Sequence, residues 1–268
     1  LEIAHDGDIT RTIDVETEIL DAAGAVAARE ISRVTLLPYT ADRLFQHIFV
    51  QESRLWSLDE PNLYTCRVTL KEGKRVWDTV EDVFGIREIK ADPVHGLRLN
   101  GQRVLLRGEC LHHDNGVLGA ATFARAEERR IEISKKAGFN SIRISHNPAS
   151  RAMLEACDRL GMLVMEESFD TWTMPKRQFD YARDFADNWE RDVESIVNKD
   201  FNHPSVFMYS IGNEIREAGT PVGSVMNRRI ADKFRELDGS RFVTNAINVL
   251  AGFGGKMGKT LEDMGVLE

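Results

Sequence analysis

The hydrophobic pattern changes period near residue 90, and no single sheet or helical bundle satisfies both halves. Before that point apolar residues alternate: Ile13, Val15 and Ile19 are interleaved with Asp14, Glu16 and Glu18. This is the two-residue period of a half-buried strand. Runs at 31–36, 48–50, 63–70 and 76–83 predict further short strands. Turn sequences such as Asp21-Ala22-Ala23-Gly24 and Lys71-Glu72-Gly73-Lys74 separate them. Short strands joined by tight turns predict an immunoglobulin-like β-sandwich over residues 1–88. No motif in this region carries recognisable chemistry, so its expected role is structural.

From about residue 100 the rhythm becomes strand, loop, helix. Asn100-Gly101 predicts a hairpin turn between strands at 97–99 and 104–106. A strand at 104–109 is expected to lead to a helix at 125–137, stopped by Gly138, and then to a strand at 141–145. Ser150 is a candidate N-cap. It precedes a helix whose Met153, Ala156, Cys157 and Leu160 form one apolar stripe. Gly161 ends that helix before a strand at 162–165. After a long loop, Trp189, Val193, Ile196 and Val197 mark another helix, followed by a strand at 206–209. Met226, Ile230, Phe234 and Leu237 mark the next helix, and 242–245 a fifth strand.

Strands alternating with amphipathic helices imply an α/β fold with a parallel sheet and helices packed outside. Polar residues gathered at strand ends favour a (β/α)8 TIM barrel over an open doubly wound sheet. No Gly-x-Gly-x-x-Gly follows any strand, which argues against a dinucleotide fold. The expected barrel domain, residues 89–268, is truncated: five strands are visible, whereas a full barrel takes roughly 250 residues. The glycine-rich run at 250–258 shows no further strand–helix unit. The start at Leu1-Glu2-Ile3, with neither methionine nor a signal-peptide pattern, reads as a piece of a longer protein.

Composition narrows the function classes. The net charge of −8 supplies no basic footprint for nucleic acid and no polybasic membrane anchor. No stretch approaches the roughly 18 apolar residues of a membrane span. Content of 42% hydrophobic and 29% charged residues suits a soluble protein, cytoplasmic or periplasmic. The odd, widely spaced cysteines Cys66, Cys110 and Cys157 suit buried thiols better than a disulfide framework or a zinc site.

Barrel chemistry sits at the C-terminal ends of strands. Four consecutive strand ends carry polar clusters here. They are Gly108-Glu109-Cys110-Leu111-His112-His113-Asp114, Arg143-Ile144-Ser145-His146-Asn147-Pro148, Glu166-Glu167-Ser168-Phe169-Asp170-Thr171-Trp172 and Ser210-Ile211-Gly212-Asn213-Glu214. With Ile142 and Ile144 facing the helices, Arg143 points into the barrel, where a guanidinium requires a nearby carboxylate. It is expected to orient Glu214 or a neighbour, a role compatible with a buried structural ion pair. His146, with His112 or His113, can donate to sugar hydroxyls or bind metal; the alternative for each is a satisfied structural histidine. Trp172 offers a face for a pyranose ring, or else packs the loop, and Asp170 can accept from hydroxyls. Glu214 is the candidate acid/base: a carboxyl that protonates a glycosidic oxygen and then activates water. Asn213 beside it can hold the sugar 2-hydroxyl.

Two long motifs resemble those of glycoside hydrolase family two, the family of β-galactosidases, β-glucuronidases and β-mannosidases. One is Asn140-Ser141-Ile142-Arg143-Ile144-Ser145-His146-Asn147-Pro148, continuing through Asp158-Arg159-Leu160-Gly161. The other runs from Asp200-Phe201-Asn202-His203-Pro204 to Ile211-Gly212-Asn213-Glu214. Phe84-Gly85-Ile86-Arg87 resembles the junction between sandwich and barrel. The resemblance implies a retaining exo-β-glycosidase with Glu214 as acid/base and Asn213 on the 2-hydroxyl. It implies that Arg143, His146, His112 or His113, Asp170 and Trp172 line the sugar subsite. The favoured partner is a β-linked galactoside or related oligosaccharide, on the likeness of Glu167 to Trp172 to short bacterial β-galactosidases.

The resemblance also marks two departures. The family's nucleophilic glutamate belongs to a later strand, and neither Glu262 nor Glu268 lies in a strand pattern, so this chain alone is expected to be inactive. No cofactor is expected. Magnesium-dependent members carry a glutamate and a histidine where Asp170 and Trp172 stand, which leaves that ligand set incomplete. Two other readings compete: a non-catalytic carbohydrate-binding or scaffold protein on a degenerate barrel, and a different barrel hydrolase such as a β-glucanase. The conjunction of Asn213-Glu214 with Arg143 and His146 disfavours the first, and the preceding sandwich disfavours the second.

Overall fold

A computed structural model describes residues 1–248. They form two units: Leu1–Trp56 with Glu60–Arg87, and Ser57–Asp59 with the chain from Glu88 onward. Ser57–Asp59 belong to the second unit, where Lys135 Nζ donates to Leu58 O and to Gly161 O, both at 3.0 Å.

The first unit holds β1 (Glu2–His5), β2 (Arg11–Leu20), β3 (Val26–Leu36), β4 (Thr40–Arg43), β5 (Tyr64–Glu72) and β6 (Arg75–Phe84). An antiparallel sheet runs β3-β2-β5-β6, and β1 pairs with β4. Alternation along β2 turns Ile13 and Val15 inward against Ile3 and Leu36, so the two sheets share one apolar core. Asp21 Oδ1 accepts from Ala23 N and Ala25 N at 2.9 Å, which closes the β2–β3 turn. The strand expected at 48–50 does not form. Its segment is pinned instead by a side chain: Thr17 Oγ1 donates to Gln46 Oε1 (2.6 Å) and Gln46 Nε2 donates to Ser32 Oγ (3.0 Å). This unit is an immunoglobulin-like sandwich.

The second unit opens with a meander of β7 (Ile89–Asp92), β8 (Gly96–Leu99) and β9 (Gln102–Arg103). Its Asn100-Gly101 turn has φ of 51° and 78°, the left-handed pair that a tight hairpin demands. Then come β10 (Gly108–His112), α1 (Ala124–Lys136), β11 (Ser141–Ser145), α2 (Arg151–Leu160), β12 (Leu163–Glu167), α3 (Ala182–Asp200), β13 (Val206–Asn213), α4 (Pro221–Leu237) and β14 (Phe242–Ala246). The sheet is parallel with strands in chain order, β10 to β14, the arrangement of a partial (β/α)8 barrel.

The first barrel strand begins at Gly108 rather than at residue 104. Asn140 intercepts the preceding backbone: its Oδ1 accepts from Arg107 N (2.7 Å) and its Nδ2 donates to Leu105 O (2.9 Å). Parallel pairing therefore starts only at Gly108 opposite Ser141. Ser150 Oγ accepts from Met153 N at 3.1 Å and caps α2, and Gly161 ends that helix at φ 69°. Ile142 and Ile144 join Ile131, Met153, Leu154 and Val164 in the core between strands and helices.

A sealed polar layer ties the N-terminal ends of β13 and β14 to the helices. Asp158 accepts from Ser205 N (3.1 Å) and meets His203 Nδ1 (2.5 Å). Arg241 donates to the carbonyls of Val206, Asp200, Phe201 and His203 at 2.9–3.1 Å and pairs with Asp238. No helix among the described residues is long and apolar enough to cross a membrane.

Candidate active site

The C-terminal ends of β11, β12 and β13 meet on one buried carboxylate, Glu167. Arg143 donates to its Oε2 from Nε (3.0 Å) and Nη2 (2.6 Å), and Ser210 Oγ donates to the same oxygen at 2.7 Å. His146 Nδ1 stands 2.5 Å from Oε1. The register explains the convergence, because Arg143 lies opposite Met165, two residues from Glu167, and Glu167 lies opposite Ser210. Burial opposes the Arg143 charge. The hydrogen bonds and charge of Glu167 outweigh it and hold the guanidinium above its ordinary pKa.

From Arg143 the network continues to Asn213. Arg143 Nη2 donates to Asn213 Oδ1 (2.8 Å), and Asn213 Nδ2 donates to Asp170 Oδ1 (2.8 Å). Both ends of the amide are thus committed, which fixes its orientation. One Nδ2 hydrogen remains for a ligand hydroxyl. Lys176 Nζ completes the chain, reaching Asp170 Oδ1 and Asn213 O, both at 2.7 Å. Burial pushes the Asp170 carboxyl up, but the bonds from Lys176 and Asn213 prevail and hold it below the usual range.

Glu214 is the first residue beyond β13 and is exposed. Its backbone is left-handed, φ 46°, with its N–H on Ala246 O (2.7 Å). Asn248 Nδ2 donates to its Oε1 at 3.0 Å. Gly212 permits this turn, since a Cβ there would lie 2.5 Å from Ile215 Cγ1.

Arg143, His146, Asp170 and Asn213 come together, with Arg143 serving Glu167 and Asn213 rather than Glu214. Of the histidine pair, His112 packs edge-on against the His146 ring with centroids 5.0 Å apart. His113 turns to Asn147 O at 3.4 Å and lies outside the network. Trp172 is corrected: it is 0% exposed, its Nε1 donates to Ile211 O (3.1 Å) and its ring stacks on Phe185. No face is left for a sugar. Cys110 is exposed, not buried, with Sγ 3.9 Å from Arg143 Nη1.

Two members escaped the sequence reading. Glu167 had a signal, for an inward arginine requires a carboxylate, and this one ends the neighbouring strand. Lys176 had none, because it lies in an aperiodic loop.

A cleft of about 520 Å³ beside Asp170 is lined also by Phe169, Tyr181, Ile196 and Lys199, but not by Asn213 or Glu214. Magnesium does not fit at Asp170 and Trp172. The Lys176 ammonium occupies the carboxylate and an indole has no lone pair to offer. Among the described residues no three His, Cys, Asp or Glu side chains gather as a metal site. Glu262 and Glu268 lie outside the described residues.

Sequence profiles described as "Glycosyl hydrolases family 2" and "Glycosyl hydrolases family 2, TIM barrel domain" match residues 1–87 and 92–259. The chain belongs to glycosyl hydrolase family 2. Within this family it is 39% identical over 215 residues to a β-galactosidase of Bacteroides ovatus, covering 80% of the chain and 25% of that protein. A family 2 structure from Bacteroides cellulosilyticus superposes with a TM-score of 0.89 at 40% identity, covering 98% of this chain and 34% of that one. A Bacteroides uniformis β-glucuronidase gives 0.77 at 27% identity, over 92% and 31%. The chain therefore spans between a quarter and about a third of these relatives.

Proposed function

We propose that this family 2 chain supplies the acid/base side of the active site of a retaining exo-β-glycosidase, and that the substrate is a terminal β-galactoside. The observation that carries the reading is the pairing of an open carboxyl, Glu214, with a neighbouring amide, Asn213, whose orientation is fixed from two sides. In the first step the Glu214 carboxyl protonates the leaving oxygen as the glycosidic bond breaks. In the second, as carboxylate, it takes a proton from the water that attacks the anomeric carbon. Asn213 donates to the sugar 2-hydroxyl, a bond that strengthens as positive charge develops on the ring. Glu167 is fully buried and bound to Arg143, His146 and Ser210, so it holds the site together and is not the nucleophile of this reading.

The galactoside reading is supported by the B. ovatus relative, named a β-galactosidase. A β-glucuronide is the second reading, supported by relatives of that name in Bacteroides fragilis and B. uniformis. A panel of nitrophenyl β-galactoside, β-glucuronide and β-mannoside, given to the complete open reading frame with Glu214→Gln as control, tests both parts. Preference for the galactoside and loss of turnover in the variant are expected. Preference for the glucuronide would replace the substrate, and wild-type rates in the variant on a poor leaving group would remove Glu214 from the chemistry.

A further inference from the structure

Glu214 sits in a left-handed conformation that a residue with a Cβ adopts only when its neighbours enforce it. On one side the enforcement comes from Asn213, whose N–H donates to Phe169 O (2.9 Å) and whose carbonyl accepts from Lys176. On the other side stands Glu217, a carboxylate with no part in the chemistry above. It is buried, and its Oε1 accepts from Thr173 N (2.6 Å), Thr173 Oγ1 (3.0 Å) and Met174 N (3.0 Å). Its Oε2 is buried without a partner. Arg216 adds a bond from Nη1 to Pro175 O at 2.8 Å.

The loop so gripped is a preformed unit. Thr171 Oγ1 donates to Met174 O (3.0 Å), and Asp180 accepts from the backbone N–H groups of Lys176, Arg177 and Ala182. The same loop carries Asp170 and Lys176, which fix Asn213. Glu217 is itself pinned from behind, since its carbonyl accepts from Thr220 N and Thr220 Oγ1 at 2.8 Å. The N-terminus of α4 comes so close that a Cβ on Gly223 would lie 1.8 Å from Glu217 O.

We propose that Glu217 is a positioning residue for Glu214: by latching Thr173 and Met174 to the turn after β13, it sets the direction of the acid/base carboxyl. The inference rests on the acid/base reading of Glu214. A latch of this kind acts on proton delivery. Its loss slows the first step of each substrate in proportion to that substrate's need for an acid, whereas a merely structural carboxylate lowers the first step of all substrates and the folded fraction alike.

The test uses the complete open reading frame and two aryl glycosides of the sugar it prefers, one with a dinitrophenol leaving group and one with a weakly acidic phenol. Glu217→Ala is expected to lower kcat/KM, which reports the acid-assisted first step, about tenfold or more on the weakly acidic phenol and much less on the dinitrophenyl substrate. On the latter, kcat is limited by the base-assisted second step and should fall together with KM. Glu217→Gln keeps an acceptor oxygen for all three donors and is expected to restore most of the rate. Thr173→Pro removes two of the three donors on the far side of the latch, the Thr173 N–H and hydroxyl, and should reproduce most of the effect of the Ala variant without adding to it in the double variant. Equal losses of kcat/KM on both substrates, or additive losses in the double variant, would overturn the latch. Glu214→Gln in the same assay separates the two claims, because wild-type rates there would remove the acid/base reading itself.

Discussion

The two ends of the parallel sheet are built from the same residue types and put them to different uses. At the N-terminal ends, Asp158 with His203, and Arg241 with Asp238, are sealed; the Arg241 side chain is 4% exposed. Its four backbone acceptors and one carboxylate leave it nothing to offer a ligand. At the C-terminal ends, Arg143 and His146 clasp Glu167, but their side chains are 24% and 23% exposed, and Asp170 stands 42% open. The carboxylates do not divide by end in the same way: Arg241 and Ser240 hold Asp238 below its ordinary pKa despite its burial. Burial and the charge of Glu166 push Asp200 well above its ordinary pKa, whereas Lys176 and Asn213 hold Asp170 below its own. One network bears load and the other keeps bonding capacity free, and only exposure and uncommitted donors tell them apart.

Substitutions should break that contrast in opposite ways. The largest loss of stability belongs to the sealed end. Arg241→Ala strands a buried carboxylate and four carbonyls and should cost about 3–5 kcal/mol in urea unfolding. It should leave turnover per folded molecule of the complete enzyme unchanged; a selective catalytic defect would erase the distinction between the ends. Trp172→Phe comes next. Losing the bond to Ile211 O and some ring volume should cost about 1–2 kcal/mol. KM should hold, and a KM that rises with no loss of stability would return Trp172 to the sugar subsite.

The smallest effect is a difference of sign with pH. Asp170 has a lowered folded pKa. Its contribution is therefore present above the unfolded value near about pH 4 and lost as pH falls through the folded one. Asp200 has a raised folded pKa, so its burial increasingly destabilises the fold as pH rises from about 4 through the folded value. Unfolding series from pH 3 to 7 should show Asp170→Asn losing stability relative to wild type only toward neutral pH. Asp200→Asn should gain over the same range. Matching slopes for the two variants would contradict the opposed environments.

Sequence made the elements legible where local chemistry decides. The Ser150 cap, the Gly161 stop, the Asn100-Gly101 turn and the apolar stripes appear in the structure where the pattern places them. It failed where a distant side chain decides. Asn140 delays the first barrel strand, and Gln46 replaces a strand by a tether. Residue type and strand-end position singled out Arg143, His146, Asn213 and Asp170, which the structure gathers in one hydrogen-bond network around Glu167. They could not separate Trp172 as core from Trp172 as platform, because that depends on Phe185 from α3 stacking on its ring. They also could not reveal Lys176 or Glu217, whose roles exist only once the loop before α3 folds onto the turn after β13.

The acid/base role of Glu214 is tested by azide rescue of Glu214→Ala in the complete enzyme, using a dinitrophenyl substrate that needs no acid. The first step then proceeds and the glycosyl-enzyme accumulates, because water lacks its base. Azide, which needs no base, attacks the anomeric carbon and releases the nucleophile. With Glu214 as acid/base, azide restores the rate and the product is a β-glycosyl azide. A rate that azide leaves unmoved, or an α-glycosyl azide, would contradict that role, the latter by making Glu214 the nucleophile.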